Sequence, residues 1–145
     1  MGAERLIANL LRIALEDLEG AIVLAAADNR NAAYLLERAA EKTILAVLTS
    51  EGIHGGIKHP LGDMVDKVPD ANPRKPALRA IEELGVYATS YRYPTPPGRI
   101  VDAPSREETD AYVEKVRDAI TQAAARFEVD LTQKNTPARR PSPAR

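Results

Sequence analysis

All eleven prolines of this 145-residue chain lie at position 60 or later. A proline inside a helix removes a backbone hydrogen bond and collides with the preceding turn. The first 59 residues carry no such break, so long helices can form there. Ile7, Leu10, Leu11, Ala14, Leu18, Ile22 and Ala25 recur at steps of three and four. That spacing predicts a helix from roughly Glu4 to Ala27 with one apolar face. Gly20 interrupts it, costs about 1 kcal/mol relative to Ala, and is read as a point of close helix approach. The polar run Asp28-Asn29-Arg30-Asn31 is a turn with good cap residues. A second helix is predicted from Asn31 to Thr49, with Ala33, Leu36, Ala40, Ile44, Val47 and Leu48 as its stripe. Two long helices joined by so short a turn run antiparallel. Glu37, Arg38, Glu41 and Lys42 fall on the complementary face and are expected to be solvated.

Gly52, Gly55 and Gly56 then break the chain, and Pro60 is placed to open a short helix from Leu61 to Val68. Pro76 starts a fourth helix carrying Leu78, Ile81, Leu84, Ala88 and Tyr91, which Pro94-Thr95-Pro96-Pro97-Gly98 ends. Ser105 with Glu108 forms a capping box for the last long helix, whose stripe is Tyr112, Val116, Ile120, Ala123 and Phe127. No alternating strand pattern and no internal repeat is present. Aromatics are only 4% and Ala occurs 24 times, as suits closely packed helices. The expectation is an all-α, up-down antiparallel bundle of four long helices plus a short fifth. It occupies residues 1–128 and is followed by a disordered Pro/Arg-rich tail, 129–145.

The charge balance excludes some functions. The net charge is −1, yet residues 132–145 hold Lys134, Arg139, Arg140 and Arg145 and no acid. The body is therefore mildly acidic and a poor generic binder of nucleic acid. With no Cys, disulfides, thiolate metal sites and Cys nucleophiles are excluded. No apolar run reaches the ~18 residues of a membrane span, so a cytoplasmic protein is expected.

Few residues carry chemistry. No phosphate loop, GxGxxG or HExxH motif occurs. His54 and His59 lack a helical ligand spacing, so no metal site is expected; His59 suits a hydrogen bond at a helix start. Glu37 and Glu41 stack on one helical face, where they suit either a magnesium ion or, as a solvated face, pairing with Arg38 and Lys42. Tyr87, Tyr91 and Tyr93 fall within seven residues, with Arg92 between the last two. An Arg among tyrosines can pair with phosphate while the rings stack on a base. Tyr87 and Tyr91, four apart, also suit simple packing.

Four stretches, in order, resemble the HEPN (higher eukaryotes and prokaryotes nucleotide-binding) domain family. They are Leu18 to Ala21 through Asn31 to Lys42, then His59-Pro60-Leu61, then Tyr91-Arg92-Tyr93-Pro94, and a final helix from Glu107 to Phe127. The resemblance covers about residues 5–128. It implies a helical bundle, usually dimeric, associated with nucleotides or RNA and often partnered by a small nucleotidyltransferase in toxin–antitoxin-like pairs. Family RNases need an Arg and a His with four to six residues between them. Before His54 the required positions hold Val47, Leu48 and Thr49, and before His59 they hold Gly52, Ile53 and His54. That motif is absent. Leu45 stands where members often carry Lys.

Carried over by position, Glu41, Lys42, His59, Arg92 and Tyr93 are the candidate nucleotide-binding residues, with Arg92 on phosphate and Tyr93 stacking. The expected ligand is a nucleotide, ATP or GTP, with no cofactor, no metal and no catalytic residue. Expected partners are a second copy and a nucleotidyltransferase. The alternatives are a ligand-free helical homodimer acting as an interaction module, and an RNase using residues outside the usual motif.

Overall fold

The computed structural model describes residues 2–54 and 60–141. Five α-helices and one 3₁₀-helix follow in order: α1 Gly2–Ala26, α2 Asn31–Ser50, α3 Leu61–Asp66, α4 Lys75–Arg79, the 3₁₀-helix Glu82–Ala88, and α5 Arg106–Arg126. No strand occurs among the described residues. The protein is all-α. Gly55, Gly56 and His59, singled out from the sequence, lie outside the described residues.

The sequence stripes become the core. Ile7, Leu11, Ala14 and Leu18 of α1 meet Leu36, Ala40, Ile44 and Val47 of α2, and all eight are fully buried. Burying such side chains contributes about 1.5–3 kcal/mol each for the larger ones. The antiparallel pairing is pinned by Lys42 on Asp17 and by Gly20 under Leu35. A β-carbon at Gly20 would meet Leu35 Cδ1 at 3.0 Å, so a larger residue there requires the Leu35 side chain to shift. Arg30 stands at the N-cap of α2 without a side-chain cap, and Asn29 closes the preceding turn, its Oδ1 accepting from the Asn31 amide at 2.9 Å. Ser105 caps α5 as its sequence predicts, accepting from the Glu108 amide at 3.0 Å.

The three long helices stop in the same way. Asp28, Gly52 and Glu128 each adopt positive φ (55°, 73° and 52°). In each case the following amide reaches back five residues: Asn29 to Leu24, Ile53 to Leu48 and Val129 to Ala124. This is the Schellman stop, in which a left-handed residue satisfies orphan carbonyls. Only one of the three positions is Gly, so two carry the steric penalty of a side chain there.

The fourth helix expected from Pro76 to Tyr91 is instead split. α4 stops at Arg79, and the chain continues as the 3₁₀-helix. The apolar residues give the reason. Leu78, Ile81, Leu84 and Tyr87 are all buried and recur at every third position. A three-residue repeat keeps one face inward in a 3₁₀-helix, whereas in an α-helix it drifts around the axis. Tyr87 then locks this segment to α5. Its ring stands edge-on to Tyr91 and Tyr112 at 5.4 and 6.0 Å, and its hydroxyl donates to Glu108.

The segment after α5 also differs from expectation. It is a strap laid on α1. The Ala138 amide donates to the Glu4 carbonyl at 2.8 Å and the Arg139 amide to the Phe127 carbonyl at 2.7 Å. Asn9 and Asn135 exchange two hydrogen bonds, and Ala138 is buried. The cause is Arg12, which is only 5% exposed. A buried guanidinium needs acceptors for its five donors. The strap supplies the Asp130 and Thr136 carbonyls and the Thr136 hydroxyl.

Candidate functional site

The exposed end of the 3₁₀ segment lies against the first half of α2. Past Ala88 the chain tightens through a bond from the Arg92 amide to the Thr89 carbonyl, and Pro94 prevents any helix from continuing. This carries Arg92 across α2, where its guanidinium carbon sits 4.5 Å from the ring centroid of Tyr34. The Tyr93 ring lies within reach of the same guanidinium, at 5.4 Å. Arg92 is thus held by two aromatic faces, each attracting its charge. Its single described hydrogen bond, 3.3 Å to the Ala88 carbonyl, leaves most of its donors open. No carboxylate pairs with it among the described residues. Tyr93 is 68% exposed and presents a free ring face.

One turn further along α2, Arg38 also approaches Tyr34, at 5.9 Å. Unlike Arg92, it is neutralised. Its Nε donates to Glu37 at 2.9 Å and its Nη2 to Glu41. Glu37 is 3% exposed, contrary to the solvated face that its sequence position suggested. Burial raises its pKa, and the neighbouring Arg38 charge offsets that only in part. Lys42 does not pair with the glutamates. It crosses to Asp17 of α1 at 2.5 Å and serves the α1–α2 seam.

Of the five residues proposed from sequence, the structure brings Arg92 and Tyr93 together and sets Glu41 nearby through Arg38. It assigns Lys42 to a structural ion pair, and His59 lies outside the described residues. Sequence reasoning missed Tyr34. The available signal was its place one helical turn before Arg38 on the polar side of α2. No group of three or more metal-ligating side chains is gathered among the described residues. Clefts lie elsewhere, including one of about 550 Å³ between the start of α1 and the strap, lined by Gly2, Glu4, Arg5, Pro137 and Ala138. Another, of about 150 Å³, is lined by Asp28, Arg30, Ala103 and Arg106, and one of about 320 Å³ by Ile22, Arg106, Val113 and Arg117. No described helix is long and apolar enough to cross a membrane.

A family profile described as HEPN domain matches residues 7–125. The chain belongs to the HEPN domain family. This is a family of nucleotide-binding and RNase-like modules, and its all-helical character agrees with the bundle described above. The match runs from the first buried residue of α1 to the last turn of α5, so the strap lies beyond the family match. Comparison with curated proteins and with solved structures found no match.

Proposed function

We propose that this HEPN protein is a non-catalytic nucleotide-binding module whose site is built from Tyr34, Arg92 and Tyr93. It works in the cytoplasm beside a nucleotidyltransferase partner, in a toxin–antitoxin-like pair. One observation carries the reading: an exposed guanidinium within cation–π reach of two tyrosine rings, with no carboxylate among the described residues to neutralise it. An arginine so placed is ordered before ligand arrives, and its open donors match a phosphate. The outer face of Tyr93 is free for a base, and such stacking is worth about 1–3 kcal/mol. The non-catalytic assignment rests on the sequence, which holds no Arg followed by a His with four to six residues between them.

A thermal-shift series with ATP, GTP and their diphosphates tests this. A binder is stabilised as ligand exceeds its dissociation constant, so a rise in midpoint is expected at millimolar nucleotide. Arg92→Ala should abolish that rise while leaving the unliganded midpoint nearly unchanged. Absence of a shift with every nucleotide rejects the reading, and a sharp drop in the unliganded midpoint makes Arg92 a structural residue.

A second reading, a ligand-free homodimer, is favoured by the outer flank of α1. Leu6 and Ile13 are 51% and 46% exposed there, two turns apart, with Leu10 half-buried between them. A stripe of this kind suits a second helix. A monomeric mass by light scattering rejects it.

A further inference from the structure

Tyr34 is approached by two guanidinium groups that are in opposite states. Arg92 is open, whereas Arg38 is held by Glu37 and Glu41. Two carboxylates around one guanidinium leave a net negative charge beside the open arginine, in a place where an incoming anion must settle. The two carboxylates are not equally fixed. The Glu37 side chain is 4% exposed and its pKa is raised by that burial. The Glu41 side chain is 31% exposed and Arg38 itself 30%. Glu41 can therefore turn into water at small cost, while Glu37 stays against the core. Lys42 does not compete for either carboxylate, being engaged by Asp17. A guanidinium freed from Glu41 exposes the planar fork that matches a phosphate in two-point contact.

We propose that Arg38 is a second phosphate contact of the Tyr34–Arg92 site, masked by Glu41, so that the site selects nucleoside diphosphates over monophosphates. One phosphate engages Arg92 without disturbing the mask. A second, joined to the first through one bridging oxygen, replaces Glu41 on Arg38. The inference rests on the nucleotide-binding reading above and adds the ligand class and the residue that sets it. It also reverses the role of Glu41, from a ligand contact to a competitor of the ligand.

Calorimetric titration of the full chain with ADP and with AMP, metal chelated, tests it. Glu41→Gln is expected to tighten ADP about fivefold and AMP by less than about twofold. Arg38→Ala combined with Glu41→Gln should remove that gain, because the charge that Glu41 masked is gone. A gain that survives without Arg38 makes Glu41 a through-space repeller and overturns the proposal, as does equal tightening of both ligands or no tightening. A wild-type chain that binds neither ADP nor AMP is seen before any substitution is made. That result overturns the nucleotide reading itself and this inference with it, whereas wild-type binding unchanged by Glu41→Gln overturns the inference alone.

Discussion

Both Nε and Nη2 of Arg12 donate to the carbonyl of Asp130, at 3.0 and 2.9 Å, across 118 residues of chain. Nη1 adds the carbonyl of Thr136 and Asn9 Oδ1, and Nη2 the Thr136 hydroxyl. Every hydrogen-bond acceptor is neutral, and the Asp130 carboxylate adds a Coulombic attraction to the buried charge.

Arg12→Ala should therefore destabilise the fold by about 3 kcal/mol, the scale for a buried charged group with several partners. Ending the chain at Leu131 removes the Thr136 and Asn135 contacts and should also destabilise it, an outcome that a disordered tail would not give. In the shortened chain Arg12→Ala should cost less than in the full chain, because both changes remove the Arg12–Thr136 bonds. Denaturant melts of the four proteins measure this, and strict additivity would show that strap and arginine act independently.

Glu37 gives the pH prediction. Its folded pKa is raised above the ordinary 4.5, with burial the largest cause. The folded chain thus keeps the proton to higher pH than the unfolded chain. Stability from this group is full at low pH and falls as pH rises from the ordinary value through the folded one. Melting curves from pH 4.5 upward should show the wild type losing stability relative to Glu37→Gln. Parallel pH profiles for the two proteins would exclude this role.

The helix stops predict a stabilising change. Glu128 sits at φ 52° with a side chain, where Gly is at ease. Its ion pair with Arg139, 3.6 Å and largely exposed, contributes little. Glu128→Gly should raise stability by about 0.5–1 kcal/mol, the relieved left-handed strain exceeding the added freedom of the unfolded chain. Asp28→Gly should gain less, since Asp tolerates this conformation better. A lower melting midpoint for Glu128→Gly would mean that the strap depends on the side chain.

Much of this was legible in the sequence because it is local. The stripe from Ile7 to Ala25, the proline-free span and the Ser105 cap of α5 each act within a few turns and appear in the structure where their spacing put them, while the Glu108 carboxylate, the other half of the expected box, accepts from Tyr87. The three-residue repeat from Leu78 to Tyr87 was equally local, but it was read with a helical period and so as one long helix. What the sequence hid is long-range. Arg12 lies among Ala8, Leu11 and Leu15, a charge within an apolar stripe, and that was the sign of a distant set of acceptors. Nothing near Tyr34 in the sequence announces Arg92, 58 positions away, because their contact depends on where the 3₁₀ segment ends.

That contact gives the last prediction. The Tyr34 ring lies 4.5 Å from the Arg92 guanidinium and 5.9 Å from that of Arg38, so it is the shared platform of both charges. The attraction comes from the ring face and not from the hydroxyl. Tyr34→Phe should therefore keep nucleotide affinity within about twofold of wild type, while Tyr34→Ala should weaken it about tenfold, the loss of one well-placed cation–π contact with its ordering effect. Stability should fall by only about 1 kcal/mol in the Ala variant, since the side chain is half-buried. Titration with ADP alongside thermal melts separates the two effects. If Phe weakens binding as much as Ala does, the hydroxyl touches the ligand and the platform role is wrong. If both variants bind as wild type does, Arg92 is positioned by Tyr93 and the backbone alone.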